Sequence, residues 1–225
     1  MFIGHYALGL AAKRVVPATS LGTLVAAATL ADLLWPVFLL AGVEHVTNVG
    51  GSNPFLRLRF DSYPISHSLL TLLGWGLLAG VLYRMQTGYT RGALVVGLLV
   101  VSHWVLDYAV HIPDLPLSPV GDGPKVGMGL WESPRATIVV ETIMSVVGVV
   151  LYLRTTRARD RVGRWGLAAF LLLVGLGYVA ALFSPPPANV MALAVGGVVF
   201  GWLFVGMAGW VDGHRVALPG KASPG

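Results

Sequence analysis

His103 and Asp107 stand four residues apart inside the apolar stretch from Arg91 to Val110. That spacing places both side chains on one helix face, and ionisable groups at membrane depth are costly enough to mark a functional site by default. His111 continues the same face, His67 opens a second apolar stretch, and Asp32 lies within a third. Imidazoles and carboxylates brought together in this way can hold a divalent cation that neutralises the buried acids.

The elements that must position these residues are membrane helices. Apolar residues make up 56% of the 225 residues and charged residues 11%, and several apolar runs approach the roughly 20 residues that span a bilayer. The expected fold class is all-α, a polytopic transmembrane helix bundle of about six spans plus a short N-terminal helix. The spans are expected over Thr19–Gly42, His67–Met85, Arg91–Val110, Ala136–Leu153, Gly163–Phe183 and Ala188–Val211. The first apolar stretch, Phe2–Ala12, is too short to cross alone and is expected to be partly inserted or re-entrant within the bundle. Pro54, Pro64, Pro113, Pro116, Pro119, Pro124 and the triplet Pro185 to Pro187 sit between runs, where helices stop. Residues 1–215 read as a single integral membrane domain and 216–225 as a flexible tail, with no convincing repeat. The start lacks the basic region of a secretory signal, so Met1 onward reads as mature protein.

The net charge of +5 does not point to nucleic acid, because the basic residues lie between apolar runs and form no basic face with a recognition motif. The absence of cysteine excludes disulfides and thiolate ligands. Charge bias supplies an expected orientation, since short cytoplasmic loops carry the excess of Lys and Arg. With both ends cytoplasmic, Lys13, Arg14, Arg84, Arg91, Arg154, Arg157, Arg159, Arg161, Arg164, Arg215 and Lys221 face inward, and only Arg57, Arg59, Lys125 and Arg135 face outward. The long loops Val43–Ser66 and His111–Arg135, with Glu44, Asp61, Asp114, Asp122 and Glu132, then lie outside the cytoplasm. Asp32, His67, His103, Asp107 and His111 gather near that outer face, and Glu141 could join them.

Helix ends sharpen the expectation. Ser66 is placed to cap a helix opening at His67, whose positive dipole end favours the neutral, metal-ligating imidazole. Asp107 sits near a helix C-terminus and needs a cation; Lys125, Arg135 or a divalent metal would supply it. A plainer reading is available for every residue: a His and an Asp one turn apart can bond each other and hold helices together. His45 reads as a solvated loop residue, and His214 merely trails the last span. Trp75, Trp104, Trp131, Trp165, Trp202 and Trp210 read as packing or interfacial anchors. The Arg154–Arg164 run reads as a topology signal or a lipid-headgroup contact.

The segments GHYALGL from Gly4, ATLADLLWP from Ala28, YPISHSLL from Tyr63 and SHWVLD from Ser102 resemble the scattered His and Asp motifs of the LexA-regulated, membrane-bound, predicted metal-dependent hydrolase family. The resemblance covers roughly the first half of the chain. It implies that His5, Asp32, His67, His103 and Asp107 are the metal residues, which brings in His5, otherwise an ordinary polar residue near a terminus. The chain departs from the family's His-Arg-Gly-x-Thr-His-Ser pattern, carrying Asp61 to Ser68 in its place without the preceding His and Arg.

The expected function is metal-dependent hydrolysis of a lipid or phosphate-ester-like substrate. Mixed nitrogen and oxygen ligands without sulfur fit zinc slightly better than manganese or iron. Asp114, Glu132 or Glu141 would act as general base. Membrane lipid is the expected partner and nucleic acid is not. Two other classes fit the same residues: a cation- or proton-coupled transporter, and a noncatalytic membrane protein whose buried polar residues specify packing.

Overall fold

The computed structural model describes residues 1–120, 123–185 and 189–218; Asp122, Pro186, Pro187, Lys221 and the tail from residue 219 onward lie outside them. Among the described residues, five helices are long and apolar enough to cross a membrane: α5 (Leu69–Thr87), α6 (Thr90–Val110), α7 (Pro134–Thr155), α8 (Arg161–Phe183) and α9 (Val190–Gly213). A sixth span forms if α2 (Leu21–Ala28) and α3 (Leu30–Leu40) are taken together. The chain is a multi-pass, all-α bundle. Exposed Leu77, Leu98, Ile143, Leu172 and Phe200 stud the outward faces of the long helices, as expected where lipid is the solvent.

The bend of 61° between α2 and α3 has identifiable causes. Thr29 turns its hydroxyl back to the Val25 carbonyl at 2.8 Å, a bond that bends helices. His103 inserts its ring at the Ala28 carbonyl, with Nδ1 at 2.9 Å. Asp32 consequently falls in the first turn of α3, where a carboxylate suits the helix dipole.

α1 (Ile3–Ala12) is a short apolar helix packed against α2, α6 and α7. At about 1.5 Å per residue it is roughly half a bilayer long. It approaches α7 closely because Gly148 leaves room for the Ala7 backbone; any side chain there would collide with the Ala7 carbonyl. α5 and α6 approach in the same way, since a Cβ at Gly76 would lie 2.8 Å from the Gly97 carbonyl oxygen. The core around α1 consists of Tyr6, Leu10, Leu21, Val25, Phe170 and Phe204 on one side, and of Val16, Leu24, Leu72, Val96 and Val100 on the other.

The two long loops are built more tightly than plain connections. The first folds back as antiparallel strands β1 (His45–Asn48) and β2 (Leu58–Ser62), followed by a single helical turn, α4 (Pro64–His67). The second contains β3 (Leu115–Pro116) paired with β4 (Lys125–Val126). At the opposite end of the bundle, β5 (Thr156–Ala158) pairs with β6 (Arg215–Ala217), so regular structure continues past residue 215.

One local expectation is corrected. His67 does not open a membrane helix, and Ser66 does not cap one. His67 closes α4, and Ser68, in extended conformation, caps α5 by accepting from Thr71 N at 3.3 Å. The break between the two helices frees Ser66 for a different partner, described below.

Candidate metal centre

Four elements converge at the loop end of the bundle. α6 contributes His103 and Asp107, α3 contributes Asp32, α4 contributes His67, and α1 contributes His5. His5, His67, His103 and Asp107 are all buried. Two overlapping groups have donor atoms close enough to hold one ion, His5 with His103 and Asp107, and Asp32 with His67 and His103.

The hydrogen bonds determine which ring nitrogen faces inward. His103 has a carbonyl, an obligate acceptor, on Nδ1, so Nδ1 carries a proton, and in the neutral ring Nε2 presents the lone pair. That Nε2 is buried and has no hydrogen-bond partner. It lies 3.1 Å from Asp107 Oδ2 and 3.8 Å from Asp32 Oδ1. His67 Nε2 lies 3.7 Å from the same Asp32 oxygen and 3.9 Å from the same Asp107 oxygen. Each of these two imidazole nitrogens therefore lies within 3.9 Å of both carboxylate oxygens. Donors bound tetrahedrally at about 2.0–2.2 Å would stand about 3.3–3.6 Å apart, and the four nitrogen–oxygen separations of 3.1–3.9 Å bracket that range. Asp32 is the open member, with 44% of its side chain accessible.

Asp107 is held from behind. Its other oxygen, Oδ1, accepts from His5 Nε2 at 3.1 Å and from the Met1 ammonium at 2.5 Å. The His5 ring stacks on His103 with centroids 3.7 Å apart. Lys125, on β4, and Arg135, in the first turn of α7, the basic residues expected near Asp107, are both exposed and make no ion pair with it among the described residues.

The three acids expected to offer a general base occupy different places. Asp114 Oδ1 accepts from His111 Nδ1 at 2.8 Å and from the Tyr63 hydroxyl at 3.3 Å. Burial pushes the Tyr63 phenol up, so it stays a donor. With Nδ1–H committed to Asp114, His111 turns a basic Nε2 toward Asp107 Oδ2, 4.0 Å away. Glu141 is buried against the start of α1, where Oε2 accepts from Phe2 N at 2.9 Å and Gly4 N at 3.2 Å; it is a helix-terminus acceptor. Glu132 is exposed on a short 3₁₀ turn.

Aromatic rings roof the cluster. Trp131 lies 4.0 Å from the His111 ring, and Phe60 from β2 lies 5.3 Å from it and 5.4 Å from Trp35. Beside this roof is a cleft of about 500 Å³, lined by Leu58, Phe60, Ile112 and Trp131 together with Arg59 and Asp114. Asp114 thus links the cleft to His111, which neighbours the candidate donor Asp107.

One residue in this arrangement is not singled out by spacing. Glu44 reads as a loop acid, yet it is fully buried and accepts three hydrogen bonds from Ile65 and Ser66; no periodicity signals this. His111 was legible as a continuation of the His103 and Asp107 face, and the structure adds its pairing with Asp114.

No protein-family model matches the chain, and neither a curated protein nor a solved structure matches it.

Proposed function

We propose that the chain is a membrane-embedded, metal-dependent hydrolase acting on a lipid or phosphate-ester-like substrate. The observation that carries this reading is the set His67 Nε2, His103 Nε2, Asp32 Oδ1 and Asp107 Oδ2, with the buried Nε2 of His103 lacking any hydrogen bond. A buried imidazole nitrogen without a partner, facing two carboxylates, suits a cation. The donors favour zinc ahead of manganese or iron. A cation bound there would polarise a phosphoryl or acyl oxygen and lower the pKa of a water molecule.

The chain's own groups would do the rest. His111 Nε2 takes the proton of the attacking water, and Asp114 holds the ring and stabilises the imidazolium. His5 keeps Oδ2 of Asp107 turned inward by occupying Oδ1. Phe60 and Trp131 shield the reacting centre from bulk water, while the open side of Asp32 leaves a way in. An amphipathic substrate fits a centre at the loop end of a membrane bundle beside a largely apolar cleft. Kinship with the LexA-regulated hydrolase family, and an extracytoplasmic position for the loops, belong to the same proposal.

Transport is the less favoured reading. A second polar cluster, Lys13 with Asp212 and Tyr152, lies at the far end of α1. Tyr6, Leu10, Leu24 and Val25 fill α1 and α2 between the two clusters, and no chain of polar side chains joins them among the described residues.

The test is hydrolysis by the detergent-purified protein, loaded with zinc or manganese, of a phospholipid and of a soluble phosphate monoester. Lipid hydrolysis that falls about 10²–10⁴-fold in His111→Ala, with metal retained, is expected. A metal-loaded protein that cleaves neither substrate would overturn the hydrolase reading.

A further inference from the structure

We propose that Glu44, acting through Ser66, is a positioning residue that locks the tautomer of His67 and keeps its Nε2 lone pair turned to the metal-binding donors. The inference rests on the metal reading above and extends it to a loop residue that touches none of those donors.

The chain of contacts is short and directional. Glu44 is 1% exposed. Its Oε1 accepts from the backbone nitrogens of Ile65 and Ser66, each at 2.8 Å. Its Oε2 lies 2.6 Å from Ser66 Oγ, which in turn lies 2.7 Å from His67 Nδ1. The Ser66 hydroxyl has one proton, and its other oxygen neighbour, the Tyr63 carbonyl at 3.5 Å, is also an acceptor only. That proton goes to the Glu44 carboxylate, the closer of the two oxygens, so Ser66 Oγ accepts from His67 and Nδ1 carries the hydrogen. The neutral ring then has its lone pair on Nε2, 3.7 Å from Asp32 and 3.9 Å from Asp107. Outer partners of this kind set the orientation and tautomer of a metal-ligating histidine.

The same geometry dictates how the device breaks. In Glu44→Gln the side-chain carbonyl must stay on the two backbone N–H groups, which forces the amide NH₂ toward Ser66 Oγ. Ser66 then accepts from the amide, and its own proton becomes free to donate to His67 Nδ1. The imidazole hydrogen moves to Nε2, where it faces the donors and blocks ligation. An isosteric change, two side chains away, reverses the polarity of the whole relay.

The experiment is ¹⁵N NMR of histidine-labelled, metal-free protein in detergent, assigned with His67→Gln, together with zinc titration of the same samples. Expected are an Nδ1–H tautomer at His67 in the native chain, an Nε2–H tautomer in Glu44→Gln, and zinc affinity lowered about 10–100-fold in that variant. Ser66→Ala, which leaves both backbone bonds to Glu44 in place, should weaken zinc binding similarly, and Ser66→Thr should restore it. A native Nε2–H tautomer, or unchanged tautomer and affinity in Glu44→Gln, would overturn the relay. Native-like zinc affinity in Ser66→Ala would do so as well. A native chain with the Nδ1–H tautomer but no zinc binding would instead refute the metal reading and leave the relay standing.

Discussion

His103 donates from Nδ1 to the carbonyl of Ala28, 2.9 Å away, at the residue where the first span ends its straight course. One ring thereby stabilises a helix break and presents its other nitrogen to the cluster. His103→Leu should therefore lower stability as well as remove a metal donor, because a buried carbonyl left without its donor costs about 1–3 kcal/mol. Thermal unfolding in detergent, with metal absent, measures the first effect alone. An unchanged midpoint would mean that the break holds without His103.

The opposite end of α1 is secured by a different device. Lys13 Nζ lies 2.5 Å from Asp212 Oδ2 and donates to the Thr19 carbonyl at 2.8 Å, while Tyr152 donates to Asp212 Oδ1 at 2.8 Å. Both charges are at most 8% exposed. Lys13→Met strands the Asp212 carboxylate and should cost about 3–5 kcal/mol. Adding Asp212→Leu should recover part of this loss, but not all, since the Tyr152 hydroxyl and Leu21 N–H then lose their acceptor. A double variant no more stable than the single one would show that the charge pair is not the source of the loss.

Acid should loosen the β5–β6 end before the apolar bundle. The hydrogen bond from His214 Nδ1 at 2.6 Å, helped by Gly163 N–H, holds the Asp160 carboxyl below its ordinary value near 3.8. Because the folded value is the lower one, its stabilising effect is present above about pH 4 and is lost as pH falls through the folded value. Asp160→Asn should flatten the pH dependence of stability in that window. Tryptophan emission from Trp165 and Trp210, both near this end, followed from pH 5 to pH 2 (about the range of carboxyl titration), checks it. Superimposable titrations of the two proteins would rule Asp160 out.

The membrane helices and one face of the site were legible because both depend on local spacing. Apolar run length predicts α5 through α9, and the interval of four from His103 to Asp107 lies within α6, with His111 as its C-terminal cap. The rest depends on contacts between distant segments. Nothing near Thr29 signals that His103 will take the Ala28 carbonyl and bend the span. Lys13 reads as a juxtamembrane cation until it meets Asp212, 199 residues later. Glu141 has the composition of a general base, but its neighbours are the backbone nitrogens at the start of α1. Glu44 lies in a loop of mixed polarity, where only the tertiary fold distinguishes a buried acceptor from a solvated acid.

If His67, His103, Asp32 and Asp107 hold a divalent cation, elemental analysis of the purified protein will find it. Native protein and a His103→Ala/Asp107→Ala variant, both confirmed as folded by circular dichroism, would be loaded with zinc or manganese and freed of excess metal. The expected result is stoichiometric metal in the native protein and its loss from the variant. A native protein that retains no metal, or a variant that retains as much, would contradict the assignment.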